Sequence, residues 1–309
     1  MTQWANTAVL LMAYGTPARR EDVEAYYTHI RHGRPPSPAE LEDLLSRYDA
    51  IGGLSPLWQI TQRQAAVLQA ELNRRHGVDA VKVYLGMKHA HPFIADAIEE
   101  ILADGRQRVV GLVLAPHYSA MSVGTYLDEA KRALADRRPF FPVESWATHP
   151  GLITLLADRI QEIRRQFSDA EQEDLPIIFT AHSLPQRILA MKDPYPDELK
   201  RTGDRVAEVL GTTHYTFSWQ SAGRTREPWM GPDILEKLTQ MAADGFRQAI
   251  ICPAGFVADH LEVLYDLDIQ AQQHARQLGM HIERTRSLND DPALGRILAD
   301  VVEGALQHG

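Results

Sequence analysis

Leu175-Pro-Ile-Ile-Phe-Thr-Ala-His-Ser-Leu-Pro185 decides the fold. Ile177 to Ala181 are β-prone and apolar enough to form a short buried strand, and His182 follows at the strand's carboxyl end. Pro185 can open a helix, because its missing N–H costs nothing at the first helical position. In an open α/β sheet, ligands bind in the crevice beyond the carboxyl ends of the strands. A lone histidine at such a tip is more often an ordinary loop residue. This chain, however, builds the same device twice.

The earlier copy is Thr7-Ala-Val-Leu-Leu-Met-Ala-Tyr-Gly-Thr-Pro17. Laying Ala13 to Pro17 over Ala181 to Pro185 aligns the alanines, the prolines and the apolar runs before them, and sets Tyr14 on His182. A second echo pairs Val110 to Pro116 with Ala249 to Pro253, each a strand ending at a proline. Two further strand-like runs, Val81 to Gly86 and His214 to Trp219, fall between them in corresponding order. The expected architecture is therefore α/β: two similar Rossmann-like halves, each a parallel sheet flanked by helices, around a central cleft. Tyr14 and His182 are expected on opposite walls of that cleft. The halves are expected at 1–170 and 171–309, with the last helix packing back on the first half.

A chain of 309 residues with 44% hydrophobic content can bury one or two full cores. The formal charge of −9 argues against nucleic acid as a partner, since a basic footprint is missing. It says nothing against a small anionic substrate, which feels local charge. The single cysteine, Cys252, excludes an internal disulfide and a cysteine-bound iron–sulfur cluster held by one chain. No apolar run approaches the ~20 residues that span a bilayer. Met1-Thr-Gln-Trp-Ala-Asn6 lacks the features of a secretory signal, so a cytoplasmic protein is expected.

Along the chain, a helix is expected from about Arg20, with Val23, Tyr26, Tyr27 and Ile30 on one face. It ends in the basic loop Arg31-His-Gly-Arg-Pro-Pro36. Ser37-Pro-Ala-Glu40 is a capping box with proline at the first helical position, so a second helix starts there and stops at Gly52-Gly53. Leu54-Ser-Pro56 opens a long helix that Gly77 terminates. Tyr14 stands about 70 residues before its neighbouring strand and His182 only about 35, so the first half carries an insertion of about 35 residues within about 19–60. Insertions beside a strand tip commonly build a lip over the site. Further on, a helix is expected from near Leu127, a fourth strand over Phe141 to Ser145, a helix from Pro150 to Phe167 and a charged linker over Ser168 to Asp174. The second half repeats the alternation. A loop from Ser221 to Pro232 there holds Arg224, Arg226 and Trp229, and the chain ends in a helix from Pro292 to about Leu306.

Several chemistries drop out. No Gly-x-Gly-x-x-Gly follows a strand and no phosphate-loop motif occurs. There is no Gly-x-Ser-x-Gly elbow, and no His-x-x-x-His or Cys-x-x-Cys zinc spacing. Ser183 beside His182 is poorly placed for a nucleophile–base pair. What remains is His182 and the acidic run Asp259-His-Leu-Glu-Val-Leu-Tyr-Asp266. A carboxylate between Leu261 and Val263 must pair, bind metal or take up a proton. Facing His182 across one crevice, Glu262 would make a weak, labile site for a divalent metal such as Fe²⁺, or a pair that accepts protons. A purely structural His–Glu hydrogen bond fits the spacing equally well.

Six strings, in this order along the chain, carry a resemblance: Met12-Ala-Tyr-Gly-Thr-Pro17, Tyr26-Tyr-Thr-His-Ile-Arg-His-Gly-Arg34, Ile51-Gly-Gly-Leu-Ser-Pro-Leu57, Ala181-His-Ser-Leu-Pro185, Asp193-Pro-Tyr-Pro196 and Phe256-Val-Ala-Asp-His-Leu-Glu-Val-Leu-Tyr-Asp266. With them the sequence resembles the ferrochelatase family, and within it the monoderm bacterial kind that inserts Fe²⁺ into coproporphyrin III to give coproheme. The resemblance implies the chelatase fold, no dissociable organic cofactor and no iron–sulfur cluster. It makes His182 and Glu262 the inner metal and proton-handling pair. Tyr14 becomes an axial ligand of the inserted iron, and Arg31, Arg47, Tyr48, Ser55 and Tyr126 hold the propionates. Asp266 would begin an acidic path to an outer site for incoming iron or an accessory Mg²⁺. Some relatives continue that path with a glutamate where this chain has Gln270, which puts the outer site in question. Tyr14 and the missing cluster cysteines favour coproporphyrin III over protoporphyrin IX. A monomer that meets neighbouring haem-pathway enzymes only transiently is the expected assembly.

Two rivals stand beside this reading. A chelatase for another tetrapyrrole and metal, such as cobalt with sirohydrochlorin, would share the architecture without the Arg31–Ser55 insertion. A two-lobed binding protein or haem carrier would have no use for a proton acceptor opposite Tyr14.

Overall fold

Strand β1 (Thr7–Ala13) is buried at every position, because sheet neighbours cover both edges and helices both faces, which is why it reads as an unbroken apolar run. In the computed structural model, which describes residues 4–168, 172, 175–223 and 225–308, β1 pairs in parallel with β2 (Val81–Met87) and β3 (Arg108–Val113). The short β4 (Phe140–Pro142) completes a sheet of order β2-β1-β3-β4. Strands β5 (Ile177–His182), β6 (Tyr215–Gln220), β7 (Gln248–Cys252) and β8 (His281–Arg284) form a second parallel sheet of order β6-β5-β7-β8. The two orders are the same, so β1 and β5 are equivalents, and so are β2 with β6 and β3 with β7. The sequence echoes pair these same strands.

Helices α1 (Val23–Ile30), α2 (Pro38–Ala50) and α3 (Leu57–His76) separate β1 from β2. The capping box at Ser37 is formed, with the Glu40 N–H on the Ser37 hydroxyl and the Glu40 carboxylate on the Ser37 N–H. Gly77, at φ 91°, ends α3 in a conformation that side chains resist. Then come α4 (Ile94–Ala103), α5 (Val123–Leu134) and α6 (Pro150–Arg164). The second half adds α7 (Arg187–Ala190), α8 (Tyr195–Leu210) and α9 (Ile234–Ala243). It continues with a π-helix, Val263–Ala271, that runs into α10 (Gln272–Gln277), and closes with α11 (Pro292–His308). Only two helices separate β5 from β6, which locates the extra chain of the first half at α1 and α2.

The largest apolar cluster takes Val9 and Leu11 from β1, Ile177 and Phe179 from β5, and Leu294, Ile297 and Leu298 from α11. Both sheets thus share one core on their facing sides, and separate clusters lie under α4–α5 and under α9 with the π-helix. Helix α11 lies against α3: the Gly295 backbone touches Val67, Arg75 reaches Asp300 at 2.6 Å, and His76 meets Glu303 at 2.9 Å.

Some details differ from the sequence reading. The chain enters α1 through a 3-10 turn at Arg20–Asp22, and α5 begins at Val123 rather than near Leu127. Strand β4 stops at Pro142, with one further ladder bond from the Val143 N–H to the Gly111 carbonyl at 2.8 Å, and does not reach Ser145. The π-helix had no sequence signal. Most of the linker Ser168–Asp174, and Arg224 in the Ser221–Pro232 loop, lie outside the described residues. No helix among the described residues is long and apolar enough to cross a membrane.

Candidate metal and macrocycle site

The β5 ladder aligns His182 with Gln220 and continues one step beyond, where the Ser183 N–H donates to the Gln220 carbonyl at 2.7 Å. The Ser183 hydroxyl donates to the Met230 carbonyl at 2.8 Å and is buried, so it is a structural group. The Tyr195 hydroxyl donates to the His182 carbonyl at 3.0 Å. The imidazole is held at both ends. Its Nδ1 bonds the Ser183 carbonyl, and its Nε2 lies 3.5 Å from Glu262 Oε1.

Glu262 stands at the start of the π-helix, three residues past Asp259. Its other oxygen is 3.4 Å from His260 Nε2, so the carboxylate lies between two imidazoles. Sequence reasoning gave His260 no role, although its place two residues before Glu262 was a usable signal. Burial disfavours a charge on His182, but the Glu262 carboxylate outweighs it, and the imidazole pKa rises to about 9. Glu262 is driven the opposite way: burial raises it, but His182 and then His260 hold it far below the carboxylate range. Nδ1 donating to Ser183 and Nε2 donating to Glu262 require both ring nitrogens protonated, which matches an imidazolium–carboxylate pair at neutral pH. Side-chain exposures of 33% and 39% leave both groups open to the cleft, where water screens the pair without reversing it.

Tyr14 follows β1 as His182 ends β5. The ladder carries on past it: the Lys88 N–H donates to the Ala13 carbonyl and the His89 N–H to the Tyr14 carbonyl, each at 3.0 Å. Gly15, at φ 88°, turns the chain where a Cβ would stand 2.9 Å from Ala90 Cβ. The Tyr14 ring leans on His89 with centroids 4.6 Å apart, and His89 Nδ1 meets His29 Nδ1 at 2.9 Å. Although 41% of Tyr14 is exposed, enclosure at its hydroxyl end raises the phenol pKa and the charge of Glu262 raises it further. The phenol therefore lies within electrostatic reach of the Glu262 carboxylate of the other half.

The expected rim residues divide. Tyr48, Ser55 and Tyr126 are buried. The Ser55 hydroxyl accepts from the Leu57 N–H at 3.3 Å and starts α3. Tyr126 lies under Lys88, whose ammonium is 4.8 Å from the ring and donates to Thr125 Oγ1 at 2.7 Å. Arg31 pairs with Glu40 at 2.6 Å and sits over Tyr27. Arg47 pairs with Asp43 at 3.1 Å and lies 5.2 Å from the Tyr265 ring, so it reaches from the insertion to the π-helix. Asp266 is buried and bonded by the Ser221 hydroxyl. Burial, opposed by that bond, lifts its pKa to about 6, and Glu262 adds to the rise.

Two Rossmann-like halves with equivalent strand tips opening on one cleft define a chelatase architecture. The sirohydrochlorin chelatase SirB from Bacillus subtilis subspecies spizizenii, solved with cobalt, superposes with a TM-score of 0.57 at 11% identity, over 98% of this chain and 96% of that one. The ferrochelatase family model matches residues 6–306, and the chain belongs to the ferrochelatase family. It is 46% identical to the ferrochelatase of Herpetosiphon aurantiacus over 97% of this chain and 99% of the relative. It is also 46% identical to the coproporphyrin III ferrochelatase of Anoxybacillus flavithermus, over 95% and 94%.

Proposed function

We propose that this protein inserts Fe²⁺ into coproporphyrin III, releasing the two pyrrole N–H protons and giving iron coproporphyrin, a late step of haem synthesis. The observation that carries the reading is the His182–Glu262 pair, 3.5 Å apart and partly exposed, with the Tyr14 phenol of the other half within reach of the Glu262 charge. Family membership and the relative named for coproporphyrin III support the substrate.

A flat tetracarboxylate needs apolar walls, a cationic rim and a way to expose ring nitrogens that planarity hides. In this reading the macrocycle lies between Tyr14 and His182, and the insertion supplies Arg31 and Arg47 to its carboxylates. Tyr48, Ser55 and Tyr126 shape the floor under the same edge. A cleft that favours a puckered ring lowers the barrier to metal entry. His182 and Glu262 together hold one proton and are electrically neutral as a pair. An arriving Fe²⁺ expels that proton, the freed imidazole takes one pyrrole proton as the iron moves into the ring, and the second leaves to the solvent of the cleft, since Glu262 beside a charged His182 stays ionised. Tyr14 meets the iron from the other side. Among the described residues, no group of three or more His, Cys, Asp or Glu could hold a metal. Two donors suit a metal that passes through and leaves in the product. At the outer position Asp266 has a hydroxyl partner and Gln270 where an acid would be needed. That set does not fit a resident Mg²⁺.

The test is anaerobic mixing with Fe²⁺ and either coproporphyrin III or protoporphyrin IX while the porphyrin spectrum is followed. Multiple turnovers with the former and slower insertion with the latter are expected. Equal efficiency would remove the substrate preference, and stoichiometric binding without insertion would identify a carrier.

A further inference from the structure

The segment that presents Glu262 departs from α-helical hydrogen bonding over Val263–Ala271. Long π-helical runs are rare and intrinsically poorer than α-helix, so tertiary contacts must select one. Besides the apolar packing of Val263, Leu267 and Ala271, one residue holds the segment at two points. Arg284, at the end of β8, has a largely buried side chain, 13% exposed. Its Nε and Nη2 donate to the two carboxylate oxygens of Asp268 at 2.6 and 2.8 Å, a bidentate fork. Its Nη1 reaches Asp259 Oδ1 at 3.3 Å. Asp259 is held further by the Ser287 hydroxyl at 2.7 Å and by Asn289 Nδ2 at 2.9 Å, while its own N–H donates to Asn289 Oδ1 at 2.8 Å.

One guanidinium thus grips the chain on both sides of Glu262, three residues before it and six after. Arg284 is itself seated on the sheet, in register with Ile251 of β7, and β7 pairs with β5, which ends in His182. The imidazole and the carboxylate are therefore referenced to the same three strands, one through the backbone and the other through Arg284.

We propose that Arg284 is a positioning residue for the reacting pair: by holding Asp259 and Asp268 at once, it sets the register of the π-helix and hence the approach of Glu262 to His182. The inference rests on reading His182 and Glu262 as that pair. Lysine cannot replace it, because a single ammonium cannot form the fork and reach the second carboxylate as well.

The test uses the full chain with Arg284→Lys and, as a milder change, Asp268→Asn, each checked for folding by circular dichroism and melting. Both should fold and turn over Fe²⁺ and coproporphyrin III about 10- to 100-fold more slowly, the usual cost of losing a supporting shell around a metal-handling group. The porphyrin KM should stay within about twofold, because the macrocycle's own contacts are untouched. The double variant should lose no more than the worse single one. Folded variants with wild-type kcat would overturn the proposal, as would a loss that vanishes on cooling to where the variant is fully folded. Glu262→Gln in the same assay separates the two levels. Full activity there removes the underlying reading, whereas its loss beside fully active Arg284 variants removes only the brace.

Discussion

His89 and His182 stand near strand tips in the two halves, the first buried and the second open to the cleft, and carry opposite charge states. Beside Tyr14, burial and then the neighbouring Lys88 and His29 press the His89 pKa down to about 3, so the ring is neutral. Across the cleft, Glu262 overcomes the same burial and lifts His182 to about 9. The two rings stand at different tips of equivalent sheets, His89 after β2 and His182 at the end of β5. The difference in charge comes from what lies beside them: Lys88 on the same segment as His89, and for His182 the Asp259–Asp266 run that follows the neighbouring strand β7. One wall offers a phenol on a neutral support, suited to hold a flat guest. The other offers a cation–anion pair, suited to exchange a proton for a metal.

The comparison breaks most visibly at the second wall. His182→Ala should slow iron insertion by about 10²- to 10⁴-fold, the range general for a lost proton-transfer group, measured as initial rate at saturating porphyrin. A loss no larger than that of His89→Ala would mean the walls share the chemistry. Glu262→Gln should next lower the His182 titration, followed by NMR of the imidazole. The carboxylate is the main group that stabilises the charged ring, so without it the pKa falls from about 9 towards the free value of about 6.5. In the wild type, iron capture should accordingly quicken as pH rises towards 9, because the proton competes with the metal. A titration unmoved by Glu262→Gln would place the source of the shift elsewhere.

Smaller effects sharpen the contrast. Arg47→Ala should weaken coproporphyrin binding by about 10- to 100-fold, from the ~1.5–3 kcal/mol of one charge-assisted contact, read by fluorescence quenching. An unchanged affinity would show that the insertion does not meet the substrate. Gly255→Ala would drive a Cβ to 2.4 Å from Ala181 Cβ, behind the strand that carries His182. It should cost about 1–3 kcal/mol of stability by overpacking, seen as a lower denaturant midpoint. Ser37→Ala, which removes the cap of α2 in the insertion, should cost about 1 kcal/mol in the same measurement.

Much of this was open to reading residue by residue. The repeated apolar-strand-to-proline pattern paired β1 with β5 and β3 with β7, because a strand buried on both faces leaves a continuous apolar signature. Ser37 and Gly77 marked helix ends because capping is local chemistry. Glu262 stood out as an acid among apolar neighbours. His89 and Arg284 did not, since their partners lie far along the chain, whereas His260 stood two residues from its partner Glu262 and its signal went unread. Arg284 finds Asp259 and Asp268 only across a strand and a helix. The π-helix was illegible for the same reason: its hydrogen-bond shift is selected by contacts made 16 residues or more along the chain.

The sequence by itself determined two like halves, which strands of the two correspond, the extra helices beside Tyr14, and which strand tips bear a phenol and an imidazole. Local propensity and the burial pattern each strand must satisfy are enough to set these. Only the tertiary structure decided that His182 is charged and His89 is not, and that Glu262 sits between two imidazoles under the hold of Arg284. Charge state and register depend on distances of a few ångströms between groups far apart in the chain, and only the folded packing sets them.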